Sequence, residues 1–163
     1  MVLRLRQFRE NDLVELDHWC KNIHSKRFMS RTTPRFFSAQ QSVRNDLWEW
    51  YVIELENRSV GTVWLEKENA DSEWAVLGIV IGFEDFLGKG IGAYAISEAI
   101  AKARKNLRFS KVKLNVRKTN SRAISCYRKC GFSVIREDIK TNDAQEQILF
   151  YEMILEKLHP PLE

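Results

Sequence analysis

The stretch from residue 74 to residue 117 restricts this chain more than any other. An apolar run from Trp74 to Ile81 leads into Gly88-Lys89-Gly90-Ile91-Gly92-Ala93, and Ile91, Ala95, Ile96, Ala99, Ile100 and Ala103 then recur at helical spacing. Next, Val112, Leu114 and Val116 alternate with Lys111, Lys113 and Asn115. The first run reads as a central strand covered on both faces, the second as an amphipathic helix and the third as a half-buried strand. Strand, helix and strand in that order close as a right-handed parallel crossover. Any fold for this chain must accommodate one parallel pair with a helix laid over it.

The remaining segments read as mostly antiparallel. Val2, Leu3, Leu5 and Phe8 alternate with polar residues as a strand, and Asn11 caps a helix carrying Leu13, Leu16, Trp19 and Cys20. Residues 21–37 hold basic and aromatic side chains with Pro34 and read as an irregular connection. Ser38 and Gln41 form a capping-box pattern, which predicts a second helix with Val43, Leu47 and Trp50 on its apolar side. Tyr51–Glu56, a turn at Asn57-Arg58, Val60–Glu66, a polar turn at 68–71 and Trp74–Ile81 make a meander. Beyond the crossover, a helix from about Asn120 carries Ala123, Tyr127 and Cys130 and stops at Gly131. Phe132–Ile139 and Gln147–Leu155 are the last two strands. The expected class is α+β (mixed α/β), with a mostly antiparallel mixed sheet of about seven strands, about four helices and one parallel crossover. No linker or repeat interrupts residues 1–163, so one domain is expected.

Composition removes several alternatives. The chain has 163 residues, of which 44% are hydrophobic, with 3 Pro and 7 Gly, which excludes disordered and low-complexity classes. Its longest apolar stretch is about half of a membrane span, and Met1–Arg6 lacks the apolar block of a signal peptide. Three cysteines without a CxxC pair suit free thiols in a reducing cytoplasm. His18, His24 and His159 are scattered, so no metal site is expected. Charge is unevenly placed: residues 1–98 carry 12 Lys and Arg against 15 Asp and Glu, residues 99–136 carry 12 against none, and residues 137–163 carry 2 against 7. The acid-free segment calls for an anionic partner or a solvated face.

Glycines at 88, 90 and 92 open the backbone at a helix start, where free N–H groups and the helix dipole favour a phosphate. A Walker loop is excluded because Lys89 is followed by Gly90 rather than Ser or Thr. The string satisfies GxGxxA, but no acid lies in 99–136 to hold the ribose of a dinucleotide. A plain reading also stands: a helix start needing small residues for packing.

About thirty residues on comes Asn120-Ser121-Arg122-Ala123-Ile124-Ser125-Cys126-Tyr127-Arg128-Lys129-Cys130-Gly131-Phe132. A Gly-x-Gly turn, a strand, and then Asn-x-x-Ala-x-x-x-Tyr-x-x-x-Gly-Phe resemble the GNAT superfamily of acyl-CoA-dependent N-acetyltransferases, closest to the branch with ribosomal-protein, polyamine and aminoglycoside enzymes. The resemblance covers essentially the whole chain. Leu87 stands where the family usually has Gln or Arg.

The resemblance implies acetyl-CoA as cosubstrate, with its pyrophosphate on the amides of Gly88, Lys89, Gly90, Ile91, Gly92 and Ala93. It implies that the pantetheine arm pairs with the backbone of Val80 and Ile81 and that Asn120 bonds near the arm. Some of Lys89, Arg117, Lys118 and Arg122 would meet the phosphates. Tyr127 would protonate the departing thiolate, and an N–H near Val80 or Ile81 would serve the oxyanion. Glu73, at the start of the apolar strand, leads the candidates for a base, ahead of Glu66, Glu84, Asp85 and water. Glu66 and Trp64 on the preceding strand are candidates for substrate contact. The implied reaction is acetylation of a primary amine: a protein N-terminus, a polyamine or an aminoglycoside. Alternatives are a non-catalytic acetyl-CoA-binding module and a basic nucleic-acid-binding module, the latter disfavoured because only Phe109, Tyr127 and Phe132 are aromatic in 102–136. Related enzymes are often dimers, so a homodimer is compatible with this reading.

Overall fold

The computed structural model describes residues 2–22, 31–38 and 40–158. Its order is β1 (Leu3–Gln7), α1 (Asp12–Asn22), β2 (Trp48–Leu55), β3 (Arg58–Glu66), β4 (Trp74–Ile81), α2 (Ile91–Ala103), β5 (Lys111–Arg117), α3 (Ser121–Lys129), β6 (Ser133–Thr141) and β7 (Gln147–Leu155). A 3-10 turn over Glu84–Phe86 precedes α2. The strands form one 7-stranded sheet in the order β1-β2-β3-β4-β5-β7-β6. The pair β4–β5 is parallel and every other pair is antiparallel. This is the mixed α/β arrangement expected, with β4 at its centre.

The expected helix at 38–50 does not form. Gln41 N–H bonds to the Ser38 carbonyl in a turn, Asn45 Oδ1 accepts the Leu47 N–H, and Trp48 and Trp50 enter β2. The segment 48–55 reads WEWYVIEL, and its aromatic and β-branched residues pack better on a pleated sheet than on a helix. Val43 keeps a buried place, accepting the Trp48 indole N–H at its carbonyl. The first hairpin turns at Glu56-Asn57, both at positive φ, so β3 begins at Arg58, inside the expected turn.

Each face of the sheet has its own core. One face packs α2 and α3 over Leu5, Ile53, Val63, Leu65, Ala75, Leu77, Ile81, Val112, Leu114 and Val116. The opposite face packs Leu16 and Trp19 of α1 over an aromatic set of Phe8, Trp48, Trp50 and Trp64, with Val80 beneath. Phe8 and Trp50 stack with centroids 3.8 Å apart. These faces are called the α2 face and the α1 face below. The alternation of β4 assigns Leu77 and Ile81 to the former and Gly78 and Val80 to the latter.

Candidate active site

Strand β4 is treated differently on its two edges. Toward β3 it pairs over six residues, from Gly61↔Ile81 to Glu66↔Val76. Toward β5 it pairs only at Trp74↔Lys111, Ala75↔Val112 and Val76↔Lys113. Beyond Val76 and Lys113 the two strands have no strand partner among the described residues on their facing edges, which leaves a gap in the middle of the sheet. Unpaired strand edges are ready to accept an extended chain.

Backbone direction decides which residues serve that gap. The Glu73 carbonyl accepts the N–H groups of Ser110 and Lys111, so residue 73 faces β5. Val80 O lies against Gly61, and Gly82 N–H bonds to the Val60 carbonyl, so 80 and 82 face β3. Successive residues of a strand direct their amides to opposite sides. Ile79 and Ile81 therefore offer N–H and C=O to the gap. Val80, expected to do so, directs its amide to β3 instead. Periodicity identified the strand, but only its pairing phase could have selected Ile79.

The open end of the gap leads to the glycine turn. Gly88 and Gly90 have φ of 75° and 83°, and a Cβ built on either meets nothing within 4 Å. The plain packing reading therefore fails at both positions: left-handed backbone, not crowding, selects glycine there. Of the three, only Gly92 is crowded: a Cβ built on it would lie 3.2 Å from Cys126 Sγ. Tyr94 donates the first bond of the helix to the Gly90 carbonyl, which leaves the N–H groups of Ile91, Gly92 and Ala93 without a backbone acceptor. Positive backbone dipoles thus converge on an exposed, Cβ-free turn, and the added volume of side chains at 88 and 90 would fall in the open space before them.

Helix α3 stands beside this turn. Asn120 caps it through Oδ1, which accepts the Ala123 N–H at 3.3 Å, so the side chain expected near the pantetheine arm is at least partly engaged by its own helix. Cys126 and Cys130 pack α3 on the first turn of α2, where Cys130 Sγ lies 3.8 Å from the Ala93 carbonyl. Between them Tyr127 is half-buried, its ring 6.0 Å from that of Phe132. Burial, with the neighbouring thiols, pushes its phenol well above the ordinary tyrosine range, so the proton is firmly held.

Other expected residues lie elsewhere. Glu73 precedes β4 at the closed end of the gap, exposed and 3.2 Å from Lys111 Nζ. It is separated from Ile81 by the length of the strand, about 26 Å, and does not join the glycine turn or the open part of the gap. Trp64 is buried, with its ring against Gly78. Glu66 is also buried; it holds Arg31 Nη1 at 3.2 Å and the Arg35 N–H at 2.7 Å. Burial pushes its carboxyl upward, opposed by those two partners. It therefore fastens the segment after α1 to β3, and neither side chain is presented to solvent. Lys118 ion-pairs with Glu137 at 2.9 Å, on the side of α3 lined also by Arg128, Lys129 and Tyr151, while Lys89 and Arg122 remain exposed. His24 and His159 lie outside the described residues. Among the described residues no helix is long and apolar enough to cross a membrane.

Comparison with known proteins identifies the family of the chain. The model of the acetyltransferase (GNAT) domain matches residues 3–133. No curated protein sequence matches. Among solved structures, the chain is similar to a spermidine N-acetyltransferase from Vibrio cholerae in complex with CoA and spermine, at 20% identity and TM-score 0.72, with 94% of each chain covered. An aminoglycoside acetyltransferase in complex with coenzyme A matches at 18% identity and TM-score 0.69, covering 96% of this chain and 95% of that one. A GNAT-family acetyltransferase from Streptococcus pneumoniae matches at 18% identity and TM-score 0.69, covering 94% and 98%. With its family model matched over most of its length and its fold shared with these enzymes, the chain belongs to the GNAT acetyltransferase family.

Proposed function

We propose that the protein transfers an acetyl group from acetyl-CoA to a primary amine, both bound at once in the gap between β4 and β5. The observation that carries this reading is the juxtaposition of an unpaired β4 edge with a donor-lined, Cβ-free turn at its open end. Acetyl-CoA supplies an acyl group already activated as a thioester. Ile91, Gly92 and Ala93 offer N–H groups to its pyrophosphate, with Lys89 and Arg122 near enough in sequence to add charge. Ile79 and Ile81 pair with the amide-rich arm as a further strand would.

Holding both reactants in one gap supplies much of the rate by proximity. The Ile79 N–H, nearest the closed end, is placed to stabilise charge developing on the carbonyl oxygen. Tyr127 Oη, kept protonated by burial, donates its proton to the departing sulfur. Glu73 is ion-paired at the wrong end of the strand and Glu66 is occupied by Arg31 and Arg35, so the amine loses its proton to water in this reading. Calorimetry with acetyl-CoA is the direct test. Saturable binding lost on substituting Gly90 supports the reading, and absence of binding removes it.

A further inference from the structure

We infer that the acceptor is an amine bearing a carboxylate close by, such as an acidic amino acid or a peptide that begins with one, and not a polycation. This rests on the acetyl-transfer reading above, because it concerns the second substrate of the same gap. The glycine turn and Tyr127 belong to α2 and α3, so the acyl donor occupies the α2 face of the opening. An amine then has to reach the carbonyl from the α1 face, where the neighbouring charges set its chemistry.

On that face β5 presents Lys111, Lys113, Asn115 and Arg117, the residues alternating with buried Val112, Leu114 and Val116. Lys113 is the last β5 residue paired with β4 and so stands at the apex of the gap. Its Nζ lies 5.6 Å from the centroid of Trp74. Lys113 and Arg117 form no ion pair among the described residues. The acids of the strands around them are each engaged elsewhere: Glu66 by Arg31 and the Arg35 N–H, Glu73 by Lys111, and Glu152 and Asp138 through a shared Arg136. Asp85 and Asp143 lie on turns beyond the strand ends. The described part of the segment fastened over this face by Glu66, residues 31–38, adds Arg31 and Arg35 and no Asp or Glu.

Lys113 at the apex and Arg117 farther along β5, neither ion-paired among the described residues, make this side of the gap repel a polyamine and attract an anion. A carboxylate a few bonds from the amine can pair with Lys113 while the nitrogen reaches past the apex. A free amino acid and a peptide N-terminus share that chemistry, and the assay separates them.

The test measures free thiol released from acetyl-CoA with L-glutamate, L-glutamine, peptides beginning with Glu or Gln, and spermidine. Calorimetry of the same acceptors with the CoA-bound protein gives a readout independent of turnover. The expected result is a kcat/KM for the Glu acceptor about tenfold or more above its Gln counterpart, with spermidine slowest and the preference shrinking as salt rises. Lys113→Met should erase the preference, and Lys113→Glu should invert it toward spermidine. Preference for the free amino acid or for the peptide names the source. Acetyl-CoA binding together with faster turnover of spermidine, or a Glu preference untouched by Lys113→Met, overturns the inference and leaves the acetyl-transfer reading standing. Failure to bind acetyl-CoA overturns both.

Discussion

Two groups of glycines serve β4 in opposite ways. Gly61, Gly78 and Gly82 lie where a Cβ would collide with fixed atoms: the Val80 carbonyl, the Trp64 ring and the Trp19 ring respectively. Gly88 and Gly90, a few residues on, have empty space around a built Cβ but a left-handed backbone. The first group exists so that the sheet and its aromatic layer can close. The second exists so that a turn can stay open. Their difference separates residues kept for packing from residues kept for a left-handed turn, which the proposed function assigns to a ligand, although the sequence writes both with one letter.

Exchanging damage between the groups is the most direct way to break this comparison. Gly90→Asp should reduce acetyl-CoA affinity by at least about a hundredfold, since a carboxylate would meet the phosphates in front of the α2 amides. Its effect on stability should be only about 1 kcal/mol, because Asp tolerates a positive φ better than most residues. Isothermal calorimetry and thermal melting read the two effects separately. Retained affinity would place the pyrophosphate elsewhere.

The reverse experiment is Gly78→Val. The new side chain must displace the Trp64 ring, and overpacking of this kind costs about 2–3 kcal/mol. For a chain of this size, that corresponds to a fall in Tm of roughly 4–12 °C. Acetyl-CoA affinity per folded molecule should change far less than in Gly90→Asp. A variant as stable as the parent would mean that the aromatic layer on the α1 face is loosely packed.

Much of the fold was legible because hydrophobic period and tertiary packing agree: Trp74–Ile81, the α2 stripe and β5 lie where their spacing puts them. The helix expected at 38–50 failed because a local capping pattern was outweighed by the pairing of Trp48 and Trp50 with β3, which no local signal reports. Within the site, the glycine turn and Tyr127 came from motif and spacing. The gap did not, since where β4 and β5 part depends on pairing, and so neither the substitution of Ile79 for Val80 nor the apex position of Lys113 is visible from the chain alone. The acids of residues 1–98 looked available to a cationic acceptor. In the fold Glu54 holds Arg4 and Arg6, Asp12 holds Arg6, and Glu66 and Glu73 are engaged as described.

A smaller effect sharpens the α2 side of the comparison. Tyr127→Phe keeps the ring and its contact with Phe132 but removes the proton donor, and kcat should fall by about tenfold or more with acetyl-CoA affinity unchanged. The pH dependence follows from the sign of the shift. A raised phenol pKa means that the proton is retained above the ordinary range, so Tyr127 should impose no falling limb on kcat up to about pH 10. A falling limb below about pH 10 that disappears in Tyr127→Phe would show a phenol ionising in or below its usual range, contrary to its burial.

The smallest expected change tests the closed end of the gap. Glu73 is exposed and its carboxylate pairs with Lys111, and a surface pair of this kind contributes between zero and about 1 kcal/mol. Glu73→Gln should therefore leave kcat within about twofold of the parent and cost little stability, because a mechanism that uses water as proton acceptor has no step at that end of β4. The pH profile gives the sharper reading. If Glu73 were the base, its removal would abolish an acidic limb of kcat/KM and lower the plateau by about a hundredfold. That outcome would bring the reacting amine itself to the paired end of β4, within reach of Glu73, with the acceptor's carboxylate still held by Lys113 beside Trp74.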